Sequence, residues 1–159
     1  MKTIKVFDNS IGKDKRGLIW TSWSDNHKIN RKFNHDKFSL SKKNVLRGLH
    51  YDTKSWKLIS CVFGKFFFVV VNFNKKSKSY LKVKTWTLDH RVNKSILIPP
   101  YHANGHLCLS DHCVFHYKMS YQGRYPDVKD QVSIKWNDKR LKVKWPISKK
   151  KLILSKRDI

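Results

Sequence analysis

No glutamate occurs in the 159 residues, and alanine occurs once, as Ala103. Both are among the best helix formers, and their scarcity weighs against helices. All eleven acids are aspartate, a poor helix former. Six Trp, six Tyr and nine Phe instead suit a pleated, half-buried surface. The chain therefore reads as all-β. Its length suits one domain, spanning 1–159, which can bury about two thirds of its unfolded surface without disulfides or structural metal.

The pattern along the chain agrees. Short extended segments are expected at Ile4 to Phe7, Leu18 to Trp23 and Phe38 to His50, the last interrupted by Ser41 to Asn44. Lys57 to Val62 and Lys65 to Phe73 are expected as two strands of a hairpin turning at Gly64, the second apolar on both faces as in the middle of a sandwich. Tyr80 to Leu88, Ser95 to Ile98, His106 to Leu109 and Cys113 to Ser120 follow, with Val132 to Trp136 and Leu141 to Trp145 closing the series. Many short strands with turn signals between them predict a sandwich or jelly roll.

Other classes fit less well. The longest wholly apolar run, Phe66 to Val71, is six residues, far short of a membrane span, so no membrane partner is expected. Met1 to Lys5 contains no hydrophobic signal core. Cys61, Cys108 and Cys113 are odd in number and lack CxxC spacing, which argues against a disulfide scaffold or a zinc site and for a reducing compartment, most simply cytoplasm. The net charge of +24 invites a polyanion partner. Yet the lysines are scattered along the chain, and no nucleic-acid-binding signature accompanies the densest stretch, 135–157. A basic, aromatic-rich nucleic-acid-binding β-domain remains the alternative from another class, and nucleic acid is not expected as the main partner.

Several words in order resemble the dTDP-4-dehydrorhamnose 3,5-epimerase family, a branch of the cupins. They are Asp14-Lys15-Arg16-Gly17, Asn44-Val45-Leu46-Arg47-Gly48-Leu49-His50-Tyr51, Lys57-Leu58 with Gly64 beyond, and Ile98-Pro99. Leu109-Ser110, Tyr117-Lys118, Trp136-Asn137-Asp138, Trp145-Pro146 and Leu154-Ser155-Lys156-Arg157-Asp158 complete the set, which covers residues 14–158. The resemblance implies a cupin-type double-stranded β-helix, or jelly roll. It also implies epimerisation at C3, C5 or both of a nucleotide-linked 4-keto-6-deoxy sugar, with no metal or organic cofactor. Homodimers are usual in this family.

Epimerisation beside a ketone requires a base for the C–H proton, a donor for the enolate oxygen and an acid on the opposite face. The resemblance assigns these roles to His50 as base with Asp158 behind it, Lys57 as the enolate donor and Tyr117 as the acid. A carboxylate behind a histidine fixes its tautomer and supports the imidazolium. Arg16, Arg47 and Arg157 are candidates for the substrate diphosphate, because guanidinium forks match phosphate oxygens. Arg16 would act across the dimer. His35, Lys37, Asn104 and His106 complete the candidate substrate-binding set.

The chain departs from the family pattern in three places. His35-Asp36-Lys37 stands where Gln-Asp-Asn is common, Asp52 replaces the glutamine of RGLHxQ, and Asn104 takes the place of a histidine beside the sugar. His-Asp-Lys-Phe and Asn-x-His are more similar to the sub-branch that includes epimerases of GDP-linked 4-keto heptoses. Nucleotide, sugar and the number of inverted carbons stay open, and a nucleotide-sugar 3,4-ketoisomerase is a second enzymatic alternative. A cupin can hold metal through histidines. Here His102/His106 and His112/His116 have HxxxH spacing on turn and strand, where it does not make a metal face, and no metal site is expected.

Overall fold

The structure is a computed structural model that describes residues 3–159; Met1 and Lys2, part of the segment read above as lacking a signal core, lie outside the described residues. Among these residues the strands are β1 (Lys5–Asp8), β2 (Ile11–Asp14), β3 (Gly17–Trp20), β4 (His35–Lys42), β5 (Leu46–Tyr51) and β6 (Trp56–Phe63). They continue as β7 (Lys65–Asn72), β8 (Val83–Asp89), β9 (Lys94–Ile98), β10 (His102–Cys108), β11 (His112–Ser120) and β12 (Val132–Ser133). Among the described residues helical structure is confined to single 3₁₀ turns at Asp25–His27, Val128–Asp130 and Lys149–Lys151. The all-β expectation holds.

Two five-stranded antiparallel sheets, ordered β1-β9-β6-β11-β4 and β12-β5-β10-β7-β8, face each other, and β2 and β3 form a separate hairpin. Strand alternation sends one set of side chains from each sheet inward. Ile59, Cys61, Ile96, Ile98, Cys113 and Phe115 from the first sheet meet Phe66, Phe68, Val70, Leu88 and Cys108 from the second. This is the sandwich core. A second cluster, Leu49, Val69, Val71, Phe73, Ala103 and Leu141, lies on the outward face of the second sheet. It explains why β7 is apolar on both faces: one side meets the core and the other is roofed by Ile134, Val143 and Trp145.

Three local readings are corrected. The segments on either side of Gly64 are not a hairpin. β6 pairs with β9 and β11, β7 pairs with β8 and β10, and Gly64 carries the chain from one sheet to the other. A Cβ on Gly64 would lie 2.1 Å from the His112 carbonyl oxygen, and its φ of +71° is left-handed, so glycine is needed for that crossing. Leu141 to Trp145 alternates in sequence but is not a strand. Lys142 has φ of +49°, and the apolar side chains serve as a roof over the second sheet rather than as a sheet edge. Only Val132 and Ser133 of the strand expected at Val132 to Trp136 pair with β5. In addition, β2 (Ile11–Asp14) forms where no strand is expected from the sequence.

Candidate active site

One end of the sandwich opens into a cavity of about 370 Å³ between the sheets. The strand that shapes it most is β5. Asn104 pairs with His50 and His106 pairs with Arg47, so two residues of β5, Gly48 and Leu49, oppose the single Gly105 of β10. The extra residue is a bulge, and it breaks the alternation of the strand. Arg47 and His50, three residues apart, both face the cavity, while Leu49 between them points into the outer cluster. The two strands touch closely at this bulge. A Cβ on Gly48 would come within 2.6 Å of Gly105 Cα, and one on Gly105 within 2.7 Å of the Arg47 carbonyl oxygen.

His50 Nε2 stands 2.9 Å from Asp158 Oδ1. The carboxylate is buried and fully engaged: Gly48 N–H donates to Oδ1 at 3.2 Å and the Ser155 hydroxyl to Oδ2 at 2.6 Å. Burial raises the Asp158 pKa, but the bonds from His50, Ser155 and Gly48 outweigh it and hold the group below the usual carboxylate range. Although Asp158 lies close to the end of the sequence, its segment is tied down. Ile153 forms a parallel bridge with Val45, with N–H to Asn44 O at 2.9 Å and Leu46 N–H to Ile153 O at 3.0 Å. With Nε2 committed to Asp158, the other ring nitrogen, Nδ1, lies 3.1 Å from Ser133 Oγ, which also accepts from Arg157 Nε at 3.1 Å.

Opposite the dyad stand groups from the first sheet. Lys57, at the start of β6, is buried and forms an ion pair with Asp52 Oδ2 at 3.2 Å. Burial depresses the Lys57 pKa, and Asp52 works against that depression. Tyr117, on β11, has its phenol pKa raised by burial, with the Lys37 ammonium opposing. Lys37 donates to Tyr125 Oη at 3.2 Å. The cavity therefore holds an imidazole on a carboxylate, a buried ammonium and a phenol, which are the three kinds of group an enolate mechanism needs.

Nine of the eleven residues anticipated from sequence line this cavity: His50, Asp158, Lys57, Tyr117, Lys37, Arg47, Asn104, His106 and Arg157. Two of them also have partners within the cavity wall. His106 is buried, stacks on Phe115 at 4.3 Å between centroids, and has a pKa of about 3 because of burial and the nearby Arg47 charge. It stays neutral and can offer no cation to a phosphate. Asn104 Nδ2 donates to the His50 carbonyl oxygen at 3.0 Å, bracing the strand that carries His50.

Two residues do not line the cavity. Arg16 is exposed at the tip of the β2–β3 hairpin and forks onto Asp14 at 2.6 Å. His35 sits behind the wall, stacked on Tyr125 at 4.4 Å, because its position on β4 points it at the 121–125 loop rather than at the opening. Residues missed from sequence are Asp52, Tyr125, Gln131, Ser133 and Ser155. Asp52 had a signal, as an acid in place of an amide. Ser155 stood within the terminal word, three residues from Asp158, whereas Tyr125, Gln131 and Ser133 carried no signal, because each acts through a partner distant in sequence.

Among the described residues no group of three or more His, Cys, Asp or Glu is arranged to hold a metal ion. His102 and His106 lie on β10, and His112 and His116 on β11.

The chain matches the family model described as dTDP-4-dehydrorhamnose 3,5-epimerase over residues 1–159. It is similar to the dTDP-4-dehydrorhamnose 3,5-epimerase of Shigella flexneri, with 32% identity over 164 residues, covering 98% of this chain and 88% of that protein. Among solved structures it is similar to the dTDP-6-deoxy-D-glucose-3,5-epimerase of Legionella pneumophila in complex with dTDP-4-keto-L-rhamnose. There the identity is 30% and the TM-score 0.88, covering 98% of this chain and 84% of that one. It is also similar to the dTDP-4-dehydrorhamnose 3,5-epimerase of Bacillus anthracis with TDP and PPi bound, at 26% identity and a TM-score of 0.88, covering 98% of this chain and 90% of that one.

Proposed function

The chain belongs to the dTDP-4-dehydrorhamnose 3,5-epimerase family, and we propose that its cavity epimerises a nucleotide-linked 4-keto-6-deoxy sugar through His50, Asp158, Lys57 and Tyr117. The protein is an isomerase with a cupin-type jelly roll. The observation that carries the residue assignment is the His50–Asp158 contact of 2.9 Å at a cavity also lined by Lys57 and Tyr117.

In this reading His50 takes the proton from the carbon beside the ketone, and the imidazolium so formed is stabilised by Asp158. The C–H electron pair moves into the ring and the ketone oxygen becomes an enolate, which the Lys57 ammonium stabilises. Tyr117 then gives its proton to the same carbon from the other face, which inverts the centre. The Ser133 hydroxyl accepts from Arg157 and donates to His50 Nδ1, so it must release that lone pair before the base can act. Arg47 and Arg157 line the same cavity as cations for the diphosphate.

Three wider properties belong to the same reading. The whole chain acts as one catalytic domain, supported by a family match over 1–159. It works as a homodimer, supported by Phe38 and Leu40, 59% and 63% exposed on β4, and by the position of Arg16 on a projecting hairpin. It works in the cytoplasm, in keeping with three buried free cysteines. No helix among the described residues is long and apolar enough to cross a membrane.

The test is deuterium wash-in from heavy water, followed by NMR, with dTDP- and GDP-linked 4-keto-6-deoxy sugars side by side. The reading expects exchange at C3, C5 or both in the native protein and loss of C3 exchange in His50→Asn with the fold retained. Native-level exchange in that variant refutes the assignment of the base. Gel filtration with light scattering tests the dimer.

A further inference from the structure

Lys57 is charged in the proposed chemistry yet buried, and burial alone pushes an ammonium toward its neutral form. The carboxylate beside it, Asp52, is held in place from three directions. Its Oδ1 accepts the Lys54 N–H at 2.9 Å and the Ser55 N–H at 2.6 Å. Its own carbonyl oxygen accepts the Tyr101 N–H at 2.9 Å. These bonds fix the loop between β5 and β6 and leave Oδ2 facing Lys57 Nζ at 3.2 Å. A glutamine at this position, the residue of the commoner family pattern, could offer an acceptor but no charge.

We propose that Asp52 is a positioning residue for the epimerisation, the counter-ion that fixes the Lys57 ammonium toward the ketone oxygen of the substrate. The proposal rests on the reading of Lys57 as the enolate donor. Asp52 does not line the cavity and does not touch the sugar; it acts through Lys57. The other charged or titratable groups of the cavity are Arg157, Asp158, His50, Arg47, His106, Tyr117, Tyr125 and Lys37, and of these the Arg157 charge works against Lys57 protonation. On its far side Asp52 meets Lys54, Arg124 and Asp130 around a smaller cavity. Asp52 therefore opposes both burial and Arg157.

The direction of the effect follows. Without the carboxylate, Lys57 loses its proton at lower pH, and the alkaline fall of kcat moves down the pH scale. The experiment measures kcat and KM from pH 6 to 10 on a dTDP-linked 4-keto-6-deoxy sugar for wild type, Asp52→Asn, Asp52→Ser, Asp52→Glu and Lys57→Met. Asn and Ser both keep an acceptor for the Lys54 and Ser55 N–H groups, so either serves if the other fails to fold. The expected result is a kcat loss of about 10–100-fold with KM changed less than about threefold, and an alkaline limb lowered by about one pH unit, in Asn and Ser. Asp52→Glu restores the limb at least in part. Unchanged kcat and alkaline limb in Asp52→Asn or Asp52→Ser, with Lys57→Met inactive, overturn the role of Asp52 alone. Native activity in Lys57→Met instead overturns the enolate-donor reading on which the proposal stands.

Discussion

Replacing Asp158 with Asn keeps the size of the side chain and one acceptor oxygen but removes the charge behind the base. The bonds from the Gly48 N–H, at 3.2 Å, and from the Ser155 hydroxyl, at 2.6 Å, survive in part through the amide oxygen. What disappears is the attraction between the carboxylate and the imidazolium that forms when His50 takes a carbon-bound proton. At the observed 2.9 Å and an effective dielectric constant of about 20, that attraction is about 6 kcal/mol. His50 is partly open to solvent, which screens the charge, so between half and all of this value is lost in the variant. At about 1.4 kcal/mol per tenfold in rate, kcat should fall between ~10²- and ~10⁴-fold. The assay is deuterium wash-in at C3 under substrate saturation, with thermal melting as a control, since the partial loss of two hydrogen bonds costs about 1–2 kcal/mol in stability. A variant that folds and loses less than about tenfold in rate would show that the carboxylate does not support the imidazolium, and the dyad would have to be abandoned.

Tyr117→Phe should lose net epimerisation by about 10²-fold or more while retaining C3 exchange, because the base still works without the acid; equal loss of both contradicts the division of roles. His106, with its pKa near 3, should show no titration of its ring signals between pH 5 and 8. Its folded pKa is depressed, so the unfolded chain binds the proton that the folded one refuses. The stabilisation is full above about pH 6.5 and declines as pH falls, reaching a loss of about 2 kcal/mol at pH 5. Chemical denaturation of wild type and His106→Gln at both pH values checks this, and an equal pH slope in the two proteins contradicts it. Gly105→Ala, whose Cβ would lie 2.7 Å from the Arg47 carbonyl oxygen, should cost about 1–3 kcal/mol by urea unfolding and reduce activity in the fraction that stays folded.

The strands were legible because most of their side chains obey a period of two, and the lack of Glu and near-lack of Ala weakened the competing reading. What misled was periodicity without pairing. Leu141 to Trp145 alternates because one side packs on a sheet face, and nothing in the residues says that the backbone turns left-handed at Lys142. Gly64 marked a turn correctly but not which sheets it joins, since a tight connection between two facing sheets and a hairpin within one carry the same local signal. In the site, His50, Lys57, Tyr117 and Asp158 were legible through family words, and the cavity brings them together. His35 lies off the cavity because a word in sequence does not tell which way a side chain points from an edge strand, and Arg16, expected to act across a dimer, stands on a hairpin tip away from the cavity of its own chain. Ser133 and Tyr125 were illegible because their importance comes from neighbours 83 and 88 residues away.

The one-residue excess of β5 over β10 makes the catalytic end of the molecule sensitive to chain length in a way that substitution does not probe. Adding one residue to β10 beside Gly105 would set two residues opposite two, restore strict in-and-out order over Arg47 to His50 and swing the guanidinium and the imidazole to opposite sides of the sheet, disarming the protein without removing a functional group. Relatives in which β10 gains a position opposite this stretch should therefore have surrendered the chemistry or rebuilt it from other side chains, whereas length changes in the projecting loops should be tolerated.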